Sequence, residues 1–292
     1  MTSTKPKNLI ILTTPSDISA PRIEKEAKKS GFKTYFLDYS ELFQESLPQV
    51  ALPCSGSDTI LLARYPYTAN NIQQNYVSLL NHIIRKFEFR KVFDSKLYQK
   101  SFIEYEDKYQ QCLVFEELQL KYAKMFSPKN KKGTNFPIIA KKRVSSRSKS
   151  NFIIDNHEKL KKFTSSYDTS QYIFQKFHPL INDYRVLILN GKCIGTVKRR
   201  VNIDQNKKIS IKVDSLANLP NKIINDCIRV TSHIGCDFCG IDIGEKEDGK
   251  LFFIEYNPSP QFLGFERETG INVARKIIDS LIVQKLHITN PT

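Results

Sequence analysis

No stretch of this chain approaches the ~18 consecutive apolar residues that a membrane span needs. The opening MTSTKPKNLIILTT has an apolar run too short and too rich in threonine for a signal peptide. Six cysteines spread from Cys54 to Cys239 are too sparse for a disulfide scaffold, so a reducing cytoplasm is the expected compartment. The lone C-x-x-C, CDFC at Cys236 and Cys239, has no second pair and no histidine at ligand spacing. A buried pair beside a strand is expected there rather than a zinc or redox centre. G-x-G-x-x-G and G-x-x-x-x-G-K-[ST] are both missing, which removes support for the usual dinucleotide fold and for a P-loop. The five histidines (82, 157, 178, 233 and 287) fit no catalytic spacing, and no Ser/His/Asp or Cys/His arrangement competes.

What remains is an ordinary globular composition, 40% hydrophobic and 26% charged, in 292 residues, a length that suggests about two domains. The net charge of +15 is unevenly placed. Leu118 to Ile154 carries ten Lys/Arg and no acid, and Tyr184 to Asn202 carries five more with none. Those fifteen account for the whole excess. A uniformly basic surface suggests nucleic acid. Two discrete windows suggest one anion gripped from two sides. The windows also hold few aromatics on which bases would stack, chiefly Tyr122, Phe126, Phe136, Phe152 and Tyr184.

The first ninety residues alternate strand and helix. NLIILT, FKTYFLD and TILLAR read as strands; DISAPRIEKEAKKSG reads as an amphipathic helix with Ile23 and Ala27 inward and Gly31 as its stop; residues 70–87 carry a helical pattern. That alternation predicts a small, mostly parallel α/β layer. A long helical stretch is expected over 96–124, then the strand FPIIAKK, a helix near 156–163 and the strand YIFQKF. YRVLIL and KCIGTVKRR pair about Asn190-Gly191, a type I′ signal. Further helices are expected at 219–234, ending at Gly235, and at 267–286.

The stretch GIDIGEKEDGKLFFIEYNPSPQ, 240–261, carries chemistry. Closing a two-residue turn at Asp248-Gly249 puts Asp242 opposite Glu255, with Asn257 two residues on and on the same face. Opposed like charges destabilise a ladder, so a cation is expected between them and amide replacements are expected to relieve the repulsion. Two carboxylates and an amide oxygen form a hard oxygen set suited to Mg²⁺, which takes its remaining ligands from water and substrate phosphates. The basic windows supply cations for such phosphates. Together these features specify a nucleoside triphosphate site built without a P-loop.

The order of elements, and above all CGIDIGEKEDGKLFFIEYNPSPQFLGFERETGINVARKII, resembles the ATP-grasp superfamily, and most closely the RimK-type α-L-glutamate ligases. The resemblance is strongest from Gln175 to Ile278, moderate from Val92 to Lys141, and only architectural before that. It implies a mixed α/β (α+β) ATP-grasp fold: an N-terminal domain over 1–91, then an ATP-grasp domain over 92–287. Within the latter it implies a lid subdomain at 108–173 and a core subdomain at 174–287, clasping ATP.

Position by position, the resemblance implies Asp242, Glu255 and Asn257 as ligands of two Mg²⁺, with Mn²⁺ as a substitute. EDKYQQ offers Lys108 and FPIIAK offers Lys141 to the nucleotide. FQKF places Lys176 and Phe177 against adenine, mostly through backbone groups. NDYRV places Asp183 near the ribose and Arg185 near phosphate or acceptor carboxylate, and GTVKRR places Arg199 facing the γ-phosphate with Arg200 beside it. Three departures stand out. RVSSRSKSN replaces a glycine-rich phosphate loop, with Arg147 and Lys149 in place of backbone donors. QNKKIS puts Lys207 where an arginine is expected and loses the asparagine of an Arg-Ser-Asn set. NPSPQF is similar to a pattern in ATP-grasp ligases that cross-link peptides through side chains.

The implied activity is carboxylate–amine ligation through an acyl phosphate, with Arg199 and Arg185 catalytic, on a small amino acid or a peptide or protein tail. A peptide macrocyclase, an inositol-phosphate-type kinase and a basic nucleic-acid module are the alternatives. The sequence argues against a membrane or nucleic-acid partner and leaves a homo-oligomer open.

Overall fold

A computed structural model of the chain describes residues 7–42, 51–64, 79–99, 106–128, 135–145, 151–203 and 209–283. The chain divides into two compact units, one of residues up to Tyr98 with Gln261–Glu266 and those from Gly270 on, the other of Gln99–Pro260 with Arg267–Thr269.

The first unit is built on a parallel sheet of β1 (Asn8–Thr13), β2 (Lys33–Asp38), β3 (Thr59–Ala63) and β4 (Lys91–Val92), in the order β2-β1-β3-β4. Leu9 to Leu12 are fully buried, as a strand covered on both faces requires. Helix α1 (Ala20–Lys29) starts with proline in its first turn, buries Ile23 and Ala27, and gives way to Gly31 at φ +87°. Of the helix expected over 70–87, residues 79–86 are helical and the rest lies outside the described residues.

The second unit holds two antiparallel sheets. One consists of β5 (Met125–Phe126), β6 (Ile138–Lys142), β7 (Asn151–Ile154) and β8 (Tyr172–Lys176), ordered β5-β8-β6-β7. The other consists of β9 (Asn182–Leu189), β10 (Lys192–Ile203), β11 (Ile209–Leu216), β12 (Phe238–Glu245) and β13 (Leu251–Asn257), ordered β11-β10-β9-β12-β13. The β9–β10 turn has positive φ at both Asn190 and Gly191, as type I′ geometry demands.

Two helical expectations are corrected. Residues 96–124 do not form one helix. After the helical turn Ser95–Gln99, Asp107 is extended and its carboxylate accepts from Tyr109 N at 2.8 Å, starting helix α2 (Lys108–Glu117) afresh. Helix α2 stops where Gln119 turns to φ +55° and Leu120 N donates back to Phe115 O at 2.8 Å. The C-terminal pattern is likewise two helices, Leu263–Thr269 and Val273–Val283, because Gly270 sits at φ +68° between them.

Helix α3 (His157–Ser166) packs Leu160 and Phe163 against Ile138, Ala140, Ile154 and Phe174 on one face of the β5–β8 sheet. Strand alternation therefore sends Ile139, Lys141, Ile173 and Gln175 to the opposite face. There Gln175 Nε2 donates to Cys112 Sγ on α2 at 3.4 Å and to Ala123 O at 2.5 Å. Helix α4 (Asn221–Ile234) ends at Gly235, φ +72°.

The acidic hairpin pairs Asp242 with Glu255 and Gly240 with Asn257. Its turn is not the two-residue form. Asp248 has no positive φ; Gly249 alone does, at +72°, with Gly249 N donating to Lys246 O at 2.9 Å and Lys246 N to Lys250 O at 3.1 Å. That is a three-residue loop, which shifts the register by one. A bulge between Asp242 and Ile243, leaving Ile254 unpaired, shifts it back.

Candidate active site

The site gathers on the second unit, around β12 and its neighbours. Arg185 on β9 lies directly across from Asp242 on β12. Arg185 Nε donates to Asp242 Oδ1 and Nη2 to Oδ2, both at 2.8 Å. Arg199 on β10 pairs across with Asp183, donating from Nε at 2.5 Å, and its Nη2 also lies 2.9 Å from Asp242 Oδ2. The cation expected between the carboxylates is thus, at Asp242, a pair of guanidinium groups. Arg199, Asp183 and Asp242 are all buried.

Two arginines and two aspartates make this cluster neutral, which offsets the cost of taking four charges from water. Burial pushes the Asp242 carboxyl up, but Arg185 and Arg199 outweigh it and hold the group below its usual value. For Asp183 burial wins: its pKa rises, helped by the Asp242 carboxylate and opposed by Arg199. Burial disfavours charge on Arg185, yet Asp242, Glu255 and Asp183 together raise its pKa.

The lysines come from α2 and β6. Lys108, at the first turn of α2 and buried, donates from Nζ to Ser145 O at 3.0 Å and lies 4.0 Å from Glu255 Oε2. Lys141 makes no hydrogen bond or ion pair with any described residue. Burial lowers its pKa and Lys108 adds to that, while Glu255, Cys112 and Asp183 pull it up. An ammonium group that donates to none of the described residues can serve as an anion site. Lys142, the alternative, lies on the face covered by α3.

Glu255 has no hydrogen bond from a described residue, and Asn257 has a buried Nδ2 with no partner. Turning that amide over presents its oxygen instead. Asp242 Oδ1 takes one hydrogen bond and keeps a free lone pair. Glu255, Asn257 and the remaining Asp242 lone pair therefore fit a hard, oxygen-loving divalent cation.

The other expected residues stand as follows. Lys176 Nζ donates to Asn135 O and Phe136 O at 3.0 and 3.1 Å, so its side chain staples the loop before β6. Phe177 N donates to Pro137 O at 3.1 Å, leaving its carbonyl as the backbone group for a ligand. Arg200 alternates away from Arg199, is exposed, and pairs with Asp214 at 3.1 Å. Lys207, Arg147 and Lys149 lie outside the described residues. Cys236 and Cys239 are both buried, with their thiols near the carbonyls of Phe238 and Gly240, a structural pair.

Sequence reasoning passed over four contributors. Asp107 grips Arg143 through Arg143 Nε at 3.0 and 3.1 Å, and Arg143 O accepts from Lys108 N at 2.9 Å, tying the end of β6 to the start of α2. Glu106 is pushed up to about 7 by burial, with Lys108 opposing and Glu255 reinforcing. Gln111 bonds the backbone of Tyr256, between Glu255 and Asn257. EDKYQQ contained three of the four, but only its lysine carried a pattern that sequence could single out.

Comparison with known proteins bears on the family and the fold. Residues 116–281, more than half of the chain, match the RimK-like ATP-grasp domain. Human beta-citrylglutamate synthase B is 27% identical over 150 residues, which are 49% of this chain and 39% of the synthase. A probable alpha-L-glutamate ligase of Maridesulfovibrio salexigens is 30% identical over 105 residues, 34% of this chain and 33% of that one. The match thus spans well under half the length of these curated relatives. The ATP-grasp ligase PsnB, solved with a phosphomimetic variant of its minimal precursor, Mg and ADP, superposes with a TM-score of 0.68 at 15% identity, covering 96% of this chain and 99% of PsnB. That likeness shows the fold: an N-terminal parallel sheet followed by two antiparallel sheets. No helix among the described residues is long and apolar enough to cross a membrane. The chain belongs to the RimK-like ATP-grasp family of ADP-forming carboxylate–amine ligases.

Proposed function

We propose that this protein joins a carboxylate to an amine at the expense of ATP, on a peptide or amino-acid-like substrate. The observation that carries the reading is Lys141, which bonds none of the described residues and feels the carboxylates of Glu255 and Asp183, with Lys108 and the Arg185–Asp242–Arg199 cluster around the same carboxylates. Lys108 and Lys141 hold the phosphates, and Arg199 and Arg185 neutralise charge on the transferring group and on the acceptor carboxylate. Glu255, Asn257 and Asp242 would hold Mg²⁺, which would supply positive charge to offset that of the phosphates.

The γ-phosphoryl group passes to a carboxylate oxygen, releasing ADP. The amine nitrogen then attacks the acyl carbon, the bond to phosphate breaks, and the amine gives up a proton as the amide forms. No side chain need become covalently attached; positioning and charge carry the rate. A peptide substrate is supported by the precursor bound to the PsnB ligase, and a glutamate-like one by the glutamate ligase relative. The altered QNKKIS segment speaks against glutamate as the incoming amine.

The test is product analysis with Mg-ATP and a panel of peptides and amines. Equal amounts of ADP and phosphate, dependent on the amine and matched by a new amide, are expected. ADP with a phosphorylated metabolite and no free phosphate would make the protein a kinase.

A further inference from the structure

Strand β13 is an edge of its sheet: beyond β12 it makes, among the described residues, one parallel bridge, Phe253 with Tyr122, so its other outer backbone groups need other partners. The bulge at Ile254 determines which groups those are. Along a regular strand they belong to every second residue, but here Phe253 and Tyr256 both turn outward. Phe253 N donates to Lys121 O at 2.7 Å. Tyr256 is met by a side chain: Gln111 Nε2 donates to Tyr256 O at 2.8 Å, and Tyr256 N donates to Gln111 Oε1 at 3.3 Å. One carboxamide thus stands in for a missing neighbouring strand. It does so at the residue between Glu255 and Asn257. Gln111 is 3% exposed and lies one turn after Lys108 on α2, whose Nζ approaches Glu255.

We propose that Gln111 is a positioning residue for the cation site. By holding both backbone groups of Tyr256 it fixes the direction in which Glu255 and Asn257 leave the strand. It also makes their placement part of the same rigid helix that carries Lys108. The inference rests on the reading of Glu255 and Asn257 as metal ligands. Two oxygen donors two residues apart converge on one ion only if the backbone between them does not rotate, and Gln111 restrains from the open side the two peptide groups that flank the Tyr256 Cα. Partners that orient metal ligands typically contribute about 10- to 100-fold in affinity.

The experiment titrates Mn²⁺ into the full-length protein and follows loss of the free-ion EPR signal, beside thermal melts without metal. Three variants are compared. Gln111→Met keeps the volume and removes both bonds. Glu255→Gln removes a proposed ligand. Phe115→Leu disturbs packing on the same strand, since the Phe115 ring lies 5.8 Å from Tyr256 and 5.4 Å from Phe253, but leaves the Gln111 bonds in place. Gln111→Met is expected to weaken Mn²⁺ binding at least about tenfold, while Phe115→Leu melts earlier yet binds close to the parent affinity. If Glu255→Gln binds as well as the parent, the metal assignment itself fails. If Glu255→Gln loses the ion while Gln111→Met keeps it, the positioning role is overturned. Equal loss in Phe115→Leu and Gln111→Met would also overturn it, reducing Gln111 to packing. Should Gln111→Met not fold, Gln111→Glu, which keeps the acceptor and loses the donor, serves in its place with the same criteria.

Discussion

Replacing Arg199 with methionine is the sharpest probe of the buried charge cluster. Arg199 is 6% exposed and serves two carboxylates. Asp242 would keep Arg185 at 2.8 Å through two hydrogen bonds. Asp183, 3% exposed, would lose the side chain that bonds its carboxylate. Removing one partner of a buried pair costs about 3–5 kcal/mol, because the charge left behind is uncompensated. For a unit of roughly this size that is about 10 °C in melting temperature. The pH dependence gives a second handle. Burial already raises Asp183, to about 6, and losing Arg199 raises it further. A carboxyl whose folded pKa lies above its unfolded value supports the fold fully below the unfolded value and loses that support as pH rises through the folded one. The deficit of Arg199→Met relative to the parent should therefore be smallest near pH 5 and largest near pH 8, growing by up to about 1.4 kcal/mol per unit between. Adding Asp183→Asn removes the stranded charge and should recover at least half of the loss. Calorimetry of parent, single and double variants across pH is the assay. A deficit below about 1 kcal/mol, one that does not vary with pH, or a double variant no better than the single one would refute the account.

Glu255→Gln should leave the melting temperature nearly unchanged and abolish ADP formation, whereas Asp242→Asn should also destabilise the fold by about 3–5 kcal/mol, since it takes from Arg185 the carboxylate it bonds twice and from buried Arg199 one of its two; melts and turnover on both variants check this, and it reverses the simple expectation that an amide at 242 only relieves repulsion. Lys141→Met should hold or raise stability, because burial without a partner disfavours the ammonium, while weakening ATP binding by roughly 10- to 150-fold, the equivalent of a lost charge-assisted contact; calorimetric titration with a non-hydrolysable analogue measures it, and unchanged affinity would remove Lys141 from the phosphate grip. Glu106→Gln should stabilise the protein at pH 8 by up to about 3 kcal/mol and hardly at all at pH 4, because the Glu106 pKa, raised to about 7, gives support that disappears as pH climbs through that value; denaturant melts at the two pH values suffice, and equal effects at both would show that Glu106 is not held neutral.

The legible parts of this chain were those governed by short-range rules. Asn190-Gly191 and Gly235 announced a type I′ turn and a helix end because only certain residues tolerate φ > 0, and each φ is positive. The buried run of β1 and the two-residue alternation that separates Lys141 from Lys142 follow from strand geometry in the same way. The illegible parts depend on groups far apart in the chain. Nothing local says that Lys176 will be taken up by the carbonyls of Asn135 and Phe136, or that Gln111 will meet Tyr256 across 145 residues. The break at Asp107 is an intermediate case: an aspartate before a helical pattern is a capping signal, but the apolar periodicity on both sides of it favoured one continuous helix.

The acidic hairpin shows how a correct pairing can follow from incorrect geometry. A two-residue turn at Asp248-Gly249 predicts Asp242 opposite Glu255, and that pair is observed, yet the turn has three residues and a bulge at Ile254 restores the register. Neither feature alone would preserve the pair, since a one-residue slip exchanges the two faces of a strand. What the chain maintains is the opposition of the two carboxylates, not the simplest path to it. Tyr256 faces outward to Gln111, so the strand that carries Glu255 and Asn257 is held at that point from α2 as well as from β12. Deleting Ile254 should leave every observed pair of the hairpin in place, with Tyr256 still facing Gln111, and should therefore leave Mn²⁺ affinity close to the parent's. Mn²⁺ titration beside a thermal melt checks this, and a deletion variant that folds but loses the ion would show that the bulge itself, not the Gln111 contact, orients the ligands.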